Sequence, residues 1–106
     1  MKYPFSVCMS VYKNDKPADL IVALDSVVQQ SVCPSEIVLV VDGPIPDDLN
    51  TIINDFEGRY GNLFKIIRLP QNGGLGNALR LAVENAKYDL IARMDSDDIS
   101  MPSRFE

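Results

Sequence analysis

The chain has 106 residues with ten basic and fifteen acidic side chains, which gives a formal net charge of −5. This length suits one domain, and an acidic chain with no basic run gives no support to nucleic-acid binding through phosphate neutralisation. No apolar run approaches the ~20 residues that span a bilayer, and the first residues lack the layout of a signal peptide.

The first strand and helix are marked by a change in hydrophobic spacing. Residues 5–12 form a β-rich run that stops at the polar cluster 13–15. From Pro17 onward the apolar residues recur at helical spacing, which predicts an amphipathic helix over residues 17–31. Its apolar positions are Leu20, Leu24, Val27 and Val28, with Ile21 and Ala23 alongside.

The second strand is a run of five aliphatic residues, 37–41, with no polar alternation. Such a run is typical of a parallel strand covered on both faces. A second helix is expected to open at residues 46–48 and close near residues 58–61. Its apolar face consists of Leu49, Ile52, Ile53 and Phe56.

Two further strands and one helix complete the pattern. Residues 64–69 alternate more and predict a strand nearer a sheet edge, and residues 75–86 predict a helix after the turn at 70–74. The apolar positions of that helix are Leu75, Ala78, Leu79, Ala82, Val83 and Ala86. A last strand covers residues 89–94. The order β-α-β-α-β-α-β predicts an α/β fold, a Rossmann-like parallel sheet with helices on both faces.

Polar residues lie at the carboxyl ends of the first, second and fourth predicted strands, and an Asn-Gly-Gly sequence lies at the N-terminus of the third predicted helix. The carboxyl ends of parallel strands share one edge, where open α/β sheets bind ligands, so these residues are expected to converge. Each feature also has a plainer explanation: a solvated acidic turn for the acidic cluster, a tight turn for Asp42, turn chemistry for residues 72–74, and a half-buried ring at a strand end for Tyr12. The converging residues are Ser10, Tyr12, Asp42, Asn72, Gly73, Gly74, Asp95, Asp97 and Asp98.

The acids suggest a divalent cation. Mg²⁺ and Mn²⁺ prefer oxygen ligands, often one or two carboxylates together with substrate phosphates. Asp95 and Asp97, two positions apart, can divide the work between a ribose hydroxyl and a metal that bridges a diphosphate. The chain has no histidine, which excludes a His-ligated metal, and Cys8 and Cys33 lack metal-ligand spacing. Two reduced cysteines favour a cytosolic protein.

Four blocks of sequence, residues 5–12, 36–43, 72–79 and 93–99, stand in an order that resembles the N-terminal part of inverting family 2 glycosyltransferases with the GT-A fold. Residues 102–106 match the pattern that follows the acidic motif in that family. The sequence as a whole is similar to those of bacterial glycosyltransferases that build O-antigen or exopolysaccharide. The resemblance covers essentially the whole chain.

The resemblance implies a role for each matching residue. Asp42 would contact the base, usually uracil, and Asp95 the ribose or sugar. Asp97 would ligate Mn²⁺ or Mg²⁺, with Asp98 as a further candidate ligand. The full nucleotide-sugar site would be Ser10, Tyr12, Asp42, Asn72, Gly74 and Asp95. The chain departs from the family pattern at two positions: Val41 replaces the first of two usual acids, which weakens the expectation of base specificity, and Pro44 replaces the usual Ser or Thr.

Residues 1–106 are therefore expected to be one nucleotide-sugar-binding domain cut from a longer glycosyltransferase, whose general base lies downstream of Glu106. Its partners would be a nucleotide diphosphate sugar and a glycan or lipid-linked acceptor. We expect it in the cytoplasm, with at most peripheral association with the inner face of the membrane. Two alternatives stay open: a non-catalytic nucleotide-binding α/β regulatory module, and a structural interaction domain that binds no nucleotide.

Overall fold

The fold is a parallel four-stranded sheet with helices between the strands. A computed structural model of the protein describes residues 4–29, 34–88 and 91–94. The strands lie in the order β3-β2-β1-β4 and are all parallel. Their bounds are β1 (Ser6–Val11), β2 (Glu36–Val41), β3 (Phe64–Arg68) and β4 (Ile91–Met94). The helices are α1 (Pro17–Val28), α2 (Asp47–Tyr60) and α3 (Leu75–Glu84), and a 3-10 turn, Gly61–Leu63, precedes β3. The predicted α/β class is confirmed.

The core has two layers because successive strand residues point to opposite faces of the sheet. On one face, odd-numbered residues of β1 and β2 pack against α1 and α2. On the other face, Cys8, Val38 and Val40 pack against Ala78 and Ala82 of α3. The small alanine side chains let α3 lie close to the sheet. The aliphatic run of β2 is thus covered on both faces, as predicted.

Helix α1 confirms most of its predicted face and corrects its end. Pro17 occupies the first helical position, where its missing N–H removes no helix hydrogen bond. Leu20 is fully buried, whereas Ile21 is 43% exposed. Ile21 lies about 100° around the helix from Leu20, beyond the edge of the buried stripe. The prediction that the helix reaches residue 31 is wrong: it ends at Val28, with Gln29 at the cap.

Helix α3 is shorter than predicted, ending at Glu84 and not at residue 86. The Asn85 side chain donates a hydrogen bond to the Leu81 carbonyl oxygen at 2.8 Å, and such local bonds compete with helix continuation. Val83, placed on the apolar face from sequence, is 38% exposed. Leu81 packs against the core in its stead.

The amino edge of the sheet is tied by a polar network. The Ser6 hydroxyl donates to Glu36 Oε1 at 2.7 Å, and the Lys87 backbone N–H donates to the same oxygen at 2.7 Å. Ser6 is fully buried, so this carboxylate gives a partner to a hydroxyl that water does not reach. The network fixes the connection between α3 and β4 against the start of β1.

β3 lies at the edge of the sheet, as its amphipathic pattern predicted. Phe64 is buried, while Lys65 and Arg68 are exposed. Among residues 4–29, 34–88 and 91–94, no helix is both long and apolar enough to cross a membrane.

Two neighbouring residues of α1 test the two-layer core. Leu20→Ala is expected to lower the free energy of unfolding by about 2–5 kcal/mol, because it opens a cavity between α1 and the sheet. The matched change Ile21→Ala removes the same number of carbon atoms from an exposed position and should cost less than about 1 kcal/mol. Urea denaturation of both variants measures the difference, and equal losses would contradict the assigned helix face.

Candidate functional site

The carboxyl ends of the four strands meet at one edge, and the direction of winding changes there. From β1 the chain adds β2 and β3 on one side, then returns to pair β4 with the other side of β1. Such a switch point opens a crevice beyond the strand ends, which is where open α/β sheets bind ligands. β4 ends at Met94, which pairs with Met9 of β1.

The structure brings together the sequence-predicted residues that it describes. Ser10, Tyr12, Asp42, Asn72 and Gly74 all lie at this edge, three of them at the ends of β1 and β2 and two before α3. The structure thus places these five at one edge, together with Gly73. Their roles toward a ligand stay predictions.

Asp42 is the most constrained of them. The residue follows β2 and is only 4% exposed. Oδ1 accepts a hydrogen bond from the Gly73 backbone N–H at 2.8 Å, and Oδ2 accepts one from the Gly74 N–H at 3.1 Å. Hydrogen bonds to a charged group contribute about 1.5–3 kcal/mol each, and a buried carboxylate requires them. Gly74 is also the N-cap of α3, where the helix dipole favours a negative charge.

Asn72 reinforces the same contact from the other side. Its Nδ2 donates to the Asp42 carbonyl oxygen at 3.4 Å, and its Oδ1 accepts from the Gly74 N–H at 3.1 Å. We call residues 72–74 the glycine loop. Its side chain at position 72 and its backbone are joined to the end of β2 by three hydrogen bonds that involve Asp42.

Gly43 permits the close approach of these two segments. Its φ is +88°, a conformation that side-chain-bearing residues rarely adopt. A Cβ at this position would stand 2.6 Å from the Asn72 backbone nitrogen. The Asp42-Gly43 turn and the glycine loop therefore touch backbone to backbone, which only glycine allows.

The end of β1 has a turn of its own. Ser10 is 7% exposed, and Tyr12 is 41% exposed. The Tyr12 N–H donates to Asp15 Oδ2 at 3.0 Å, while the Asp15 N–H donates to the Tyr12 carbonyl oxygen at 3.1 Å. This reciprocal pair fixes the backbone of Tyr12 and leaves its ring at the surface beside the edge. Asp42 is held next to it, since the Asp42 N–H donates to the Val11 carbonyl oxygen at 2.8 Å.

The predicted acidic cluster lies outside the described residues: Asp95, Asp97 and Asp98 follow Met94 in sequence. Within the ranges that the structure does describe, no group of three or more acids and cysteines is arranged to hold a metal ion. The prediction of a metal site thus still depends on these three acids. Their carboxylates are the hard oxygen donors that Mg²⁺ and Mn²⁺ take, so the residue types fit such an ion.

Gly73, which the sequence placed at this edge as part of its Asn-Gly-Gly turn, supplies the shortest hydrogen bond to the Asp42 carboxylate. Sequence reasoning missed one contributor, Arg68. Arg68, at the end of β3, donates to Asn50 Oδ1 at 2.6 Å and to Asn54 Oδ1 at 3.2 Å. Its partners are neutral amides of α2, so its positive charge stays uncompensated by these contacts. A basic residue at a strand's carboxyl end was the available signal.

The sequence has clear relatives. The profile of the family described as Glycosyl transferase family 2 matches residues 6–106. The chain is 41% identical over 104 residues to the amylovoran biosynthesis glycosyltransferase AmsE of Erwinia amylovora. It is 40% identical over 102 residues to the UDP-Gal:alpha-D-GlcNAc-diphosphoundecaprenol beta-1,3-galactosyltransferase of Escherichia coli. Both alignments cover 96% of this chain but only 38% and 36% of the relatives, so the chain spans a little over a third of their length.

Solved structures of glycosyltransferases share the fold. S. aureus TarS 1-349 in complex with UDP superposes with a TM-score of 0.78 at 25% identity, covering 95% of this chain and 29% of that one. The mannosyltransferase PcManGT of Pyrobaculum calidifontis, in complex with GDP-Man and Mn²⁺, gives a TM-score of 0.79 at 19% identity, with 97% and 30% covered. The second likeness concerns the fold alone. Together with the family match, these findings confirm the predicted GT-A fold, and the chain belongs to glycosyl transferase family 2.

Proposed function

We propose that this chain is the donor-binding part of a glycosyltransferase that moves a sugar from a UDP-sugar to a glycan or lipid-linked acceptor in bacterial surface polysaccharide synthesis. The observation that carries the proposal is the gathering of Ser10, Tyr12, Asp42 and the glycine loop at the switch point of a family 2 sheet. Family membership also favours a transferase over a non-catalytic nucleotide-binding module or a structural interaction domain.

The choice of donor rests on two similar proteins. The Escherichia coli relative is named for UDP-Gal, and S. aureus TarS was solved with UDP. In our proposal Ser10, Tyr12, Asn72 and Gly74 line the nucleotide pocket, and Asp95 contacts the ribose or the sugar. Asp42 was predicted from the resemblance to contact the base, and that assignment stays a prediction.

The proposed metal is Mn²⁺ or Mg²⁺, held by Asp97 with Asp98 as a further ligand. A chain with a net charge of −5 that places acids at its binding edge would repel a bare diphosphate, so a cation is needed there. When bound, the ion would supply positive charge to the diphosphate leaving group. The residues of this chain would hold and orient the donor and keep its diphosphate beside the acids.

The rest of the reaction belongs to a part of the protein beyond residues 1–106. An acidic general base would deprotonate the acceptor hydroxyl for in-line, inverting attack, and we place it downstream of Glu106. The Escherichia coli relative is named for an acceptor linked to diphosphoundecaprenol. A lipid-linked acceptor of that kind would bring the protein to the inner face of the cell membrane by peripheral association.

Calorimetry tests the donor and metal site. UDP is expected to bind in the presence of Mn²⁺, and Asp97→Ala should reduce that affinity about tenfold or more, because it removes a metal ligand. Asp55→Ala, an exposed acid of α2, is the matched control and should bind as the unmodified protein does. Binding that is independent of the metal, or unchanged in Asp97→Ala, would contradict the site assignment.

A transfer assay tests the division of labour. The full-length protein, incubated with radiolabelled UDP-sugars and lipid-diphosphate acceptors, is expected to form product, while residues 1–106 alone should bind UDP and form none. Residues 1–106 should form no product because, in our proposal, the general base that deprotonates the acceptor lies outside them. Product formed by residues 1–106 would place the base inside this chain, and a full-length protein inert toward every donor would remove the proposed activity.

A further inference from the structure

The Asp42 carboxylate is already occupied in the ligand-free fold. Each of its oxygens accepts a backbone N–H of the glycine loop, at 2.8 Å from Gly73 and 3.1 Å from Gly74. The Asp42 residue is 4% exposed and therefore offers almost no surface to a ligand. Residues of the loop do reach the surface here, since Asn72 is exposed and Gly74 is half-buried.

The loop in turn has its anchor at Asp42. Within residues 4–29, 34–88 and 91–94, the hydrogen bonds that join the glycine loop to the end of β2 all involve Asp42: two end on its carboxylate and one on its carbonyl oxygen. The Gly74 carbonyl oxygen also accepts a hydrogen bond from the Ala78 N–H of α3 at 3.0 Å. The backbone of Gly43 also lies close against that of Asn72. Removing the carboxylate would thus release the loop from the end of β2.

The residue before Asp42 supports this division of roles. Val41 is 2% exposed and belongs to the core between β2 and the helices α1 and α2. It brings no polar group to the edge. With Val41 in the core and the Asp42 carboxylate engaged, polar recognition on this side of the crevice falls to the glycine loop.

We propose that Asp42 is a positioning residue that acts through the glycine loop: its carboxylate fixes the loop as one wall of the nucleotide pocket, and the nucleotide meets the loop without touching the carboxylate. The proposal rests on the proposed function, because it assigns the means by which the same pocket is shaped. It replaces direct contact between Asp42 and the base.

Hydrogen exchange in the ligand-free, full-length protein tests whether the Asp42 carboxylate fixes the glycine loop. Asp42→Asn is nearly isosteric but replaces one acceptor oxygen with an NH₂ donor that faces a backbone N–H. The Gly73 and Gly74 amides are expected to exchange about tenfold faster or more, the factor associated with losing a hydrogen bond to a charged group. Asp55→Asn is the matched control. Unchanged exchange at both glycines would overturn the anchor.

Binding of two ligands tests whether the nucleotide meets the glycine loop without touching the Asp42 carboxylate. The probes are UDP and a UDP that is methylated at N3 of the uracil ring. The methylated ligand lacks the N–H group from which a carboxylate would accept a hydrogen bond. If Asp42 acts through the loop, Asp42→Asn weakens both ligands by the same factor, within about twofold, since the two changes do not couple. If Asp42 touches the base, the substitution weakens UDP and leaves the methylated ligand unaffected, and the proposal is overturned.

Gly43→Ala provides a second, independent variant in case Asp42→Asn fails to fold. It leaves the carboxylate in place but pushes a Cβ against the Asn72 backbone. We expect it to speed exchange at Gly73 and Gly74 and to weaken both ligands equally. Gly58→Ala, in α2 with no atom near the added Cβ, is its control.

The same set of variants separates the two proposals. If the unmodified protein binds neither probe with Mn²⁺ while Asp42→Asn still frees the glycine amides, the proposed function fails and the pocket role of Asp42 falls with it. If both probes bind but Gly43→Ala binds as the unmodified protein does, the proposed function stands and the loop mechanism is contradicted.

Discussion

The hydrogen bonds of the Asp42 carboxylate hold together the edge on which the remaining site depends. A carboxylate on a residue that is 4% exposed is costly unless its charge is met by donors, and here two backbone N–H groups meet it. Holding the Asp42 carboxylate against the glycine loop also constrains the neighbouring residues. Gly43 must lack a side chain for the backbones to touch, and the strand before Asp42 must be rigid and buried to fix the carboxylate's position.

This constraint links two βα units that are about thirty residues apart in sequence. β2 and α3 meet at the glycine loop, and β1 lies beside them with Ser10 and Tyr12 at its end. The return of the chain to pair β4 with β1 brings a fourth strand end to the same edge. The opposite edge has its own carboxylate, Glu36, but that one bonds Ser6 and Lys87 and serves the fold. The hydrogen-bond partners therefore distinguish Asp42, which shapes the candidate site, from Glu36, which connects parts of the fold.

Much of the fold was predictable because the local patterns agree with it. The aliphatic run 37–41 predicted a strand buried on both faces, and the alternation in 64–69 predicted an edge. The errors have different causes: tertiary packing leaves Ile21 just beyond the buried stripe, whereas a local side-chain hydrogen bond of Asn85 accompanies the early end of α3. The sequence placed Asp42 and residues 72–74 at one edge but did not predict the hydrogen bonds from the Gly73 and Gly74 N–H groups to the Asp42 carboxylate. That pairing depends on how two loops meet, which no local pattern encodes. Asp95, Asp97 and Asp98 lie outside the described residues, so their predicted roles stand on the sequence.

The central claim, that a metal-bound nucleotide sits at the carboxyl edge, is tested most directly by Mn²⁺ itself. In amide NMR spectra of the protein with UDP, paramagnetic Mn²⁺ added in small amounts broadens the signals nearest the ion first. We predict that Tyr12, Gly43 and Gly74 lose intensity first and that Glu36 and Lys87, a strand length away at the amino edge, lose it last. Broadening that begins at Glu36 and Lys87, or that shows no gradient between the two edges, would contradict the account.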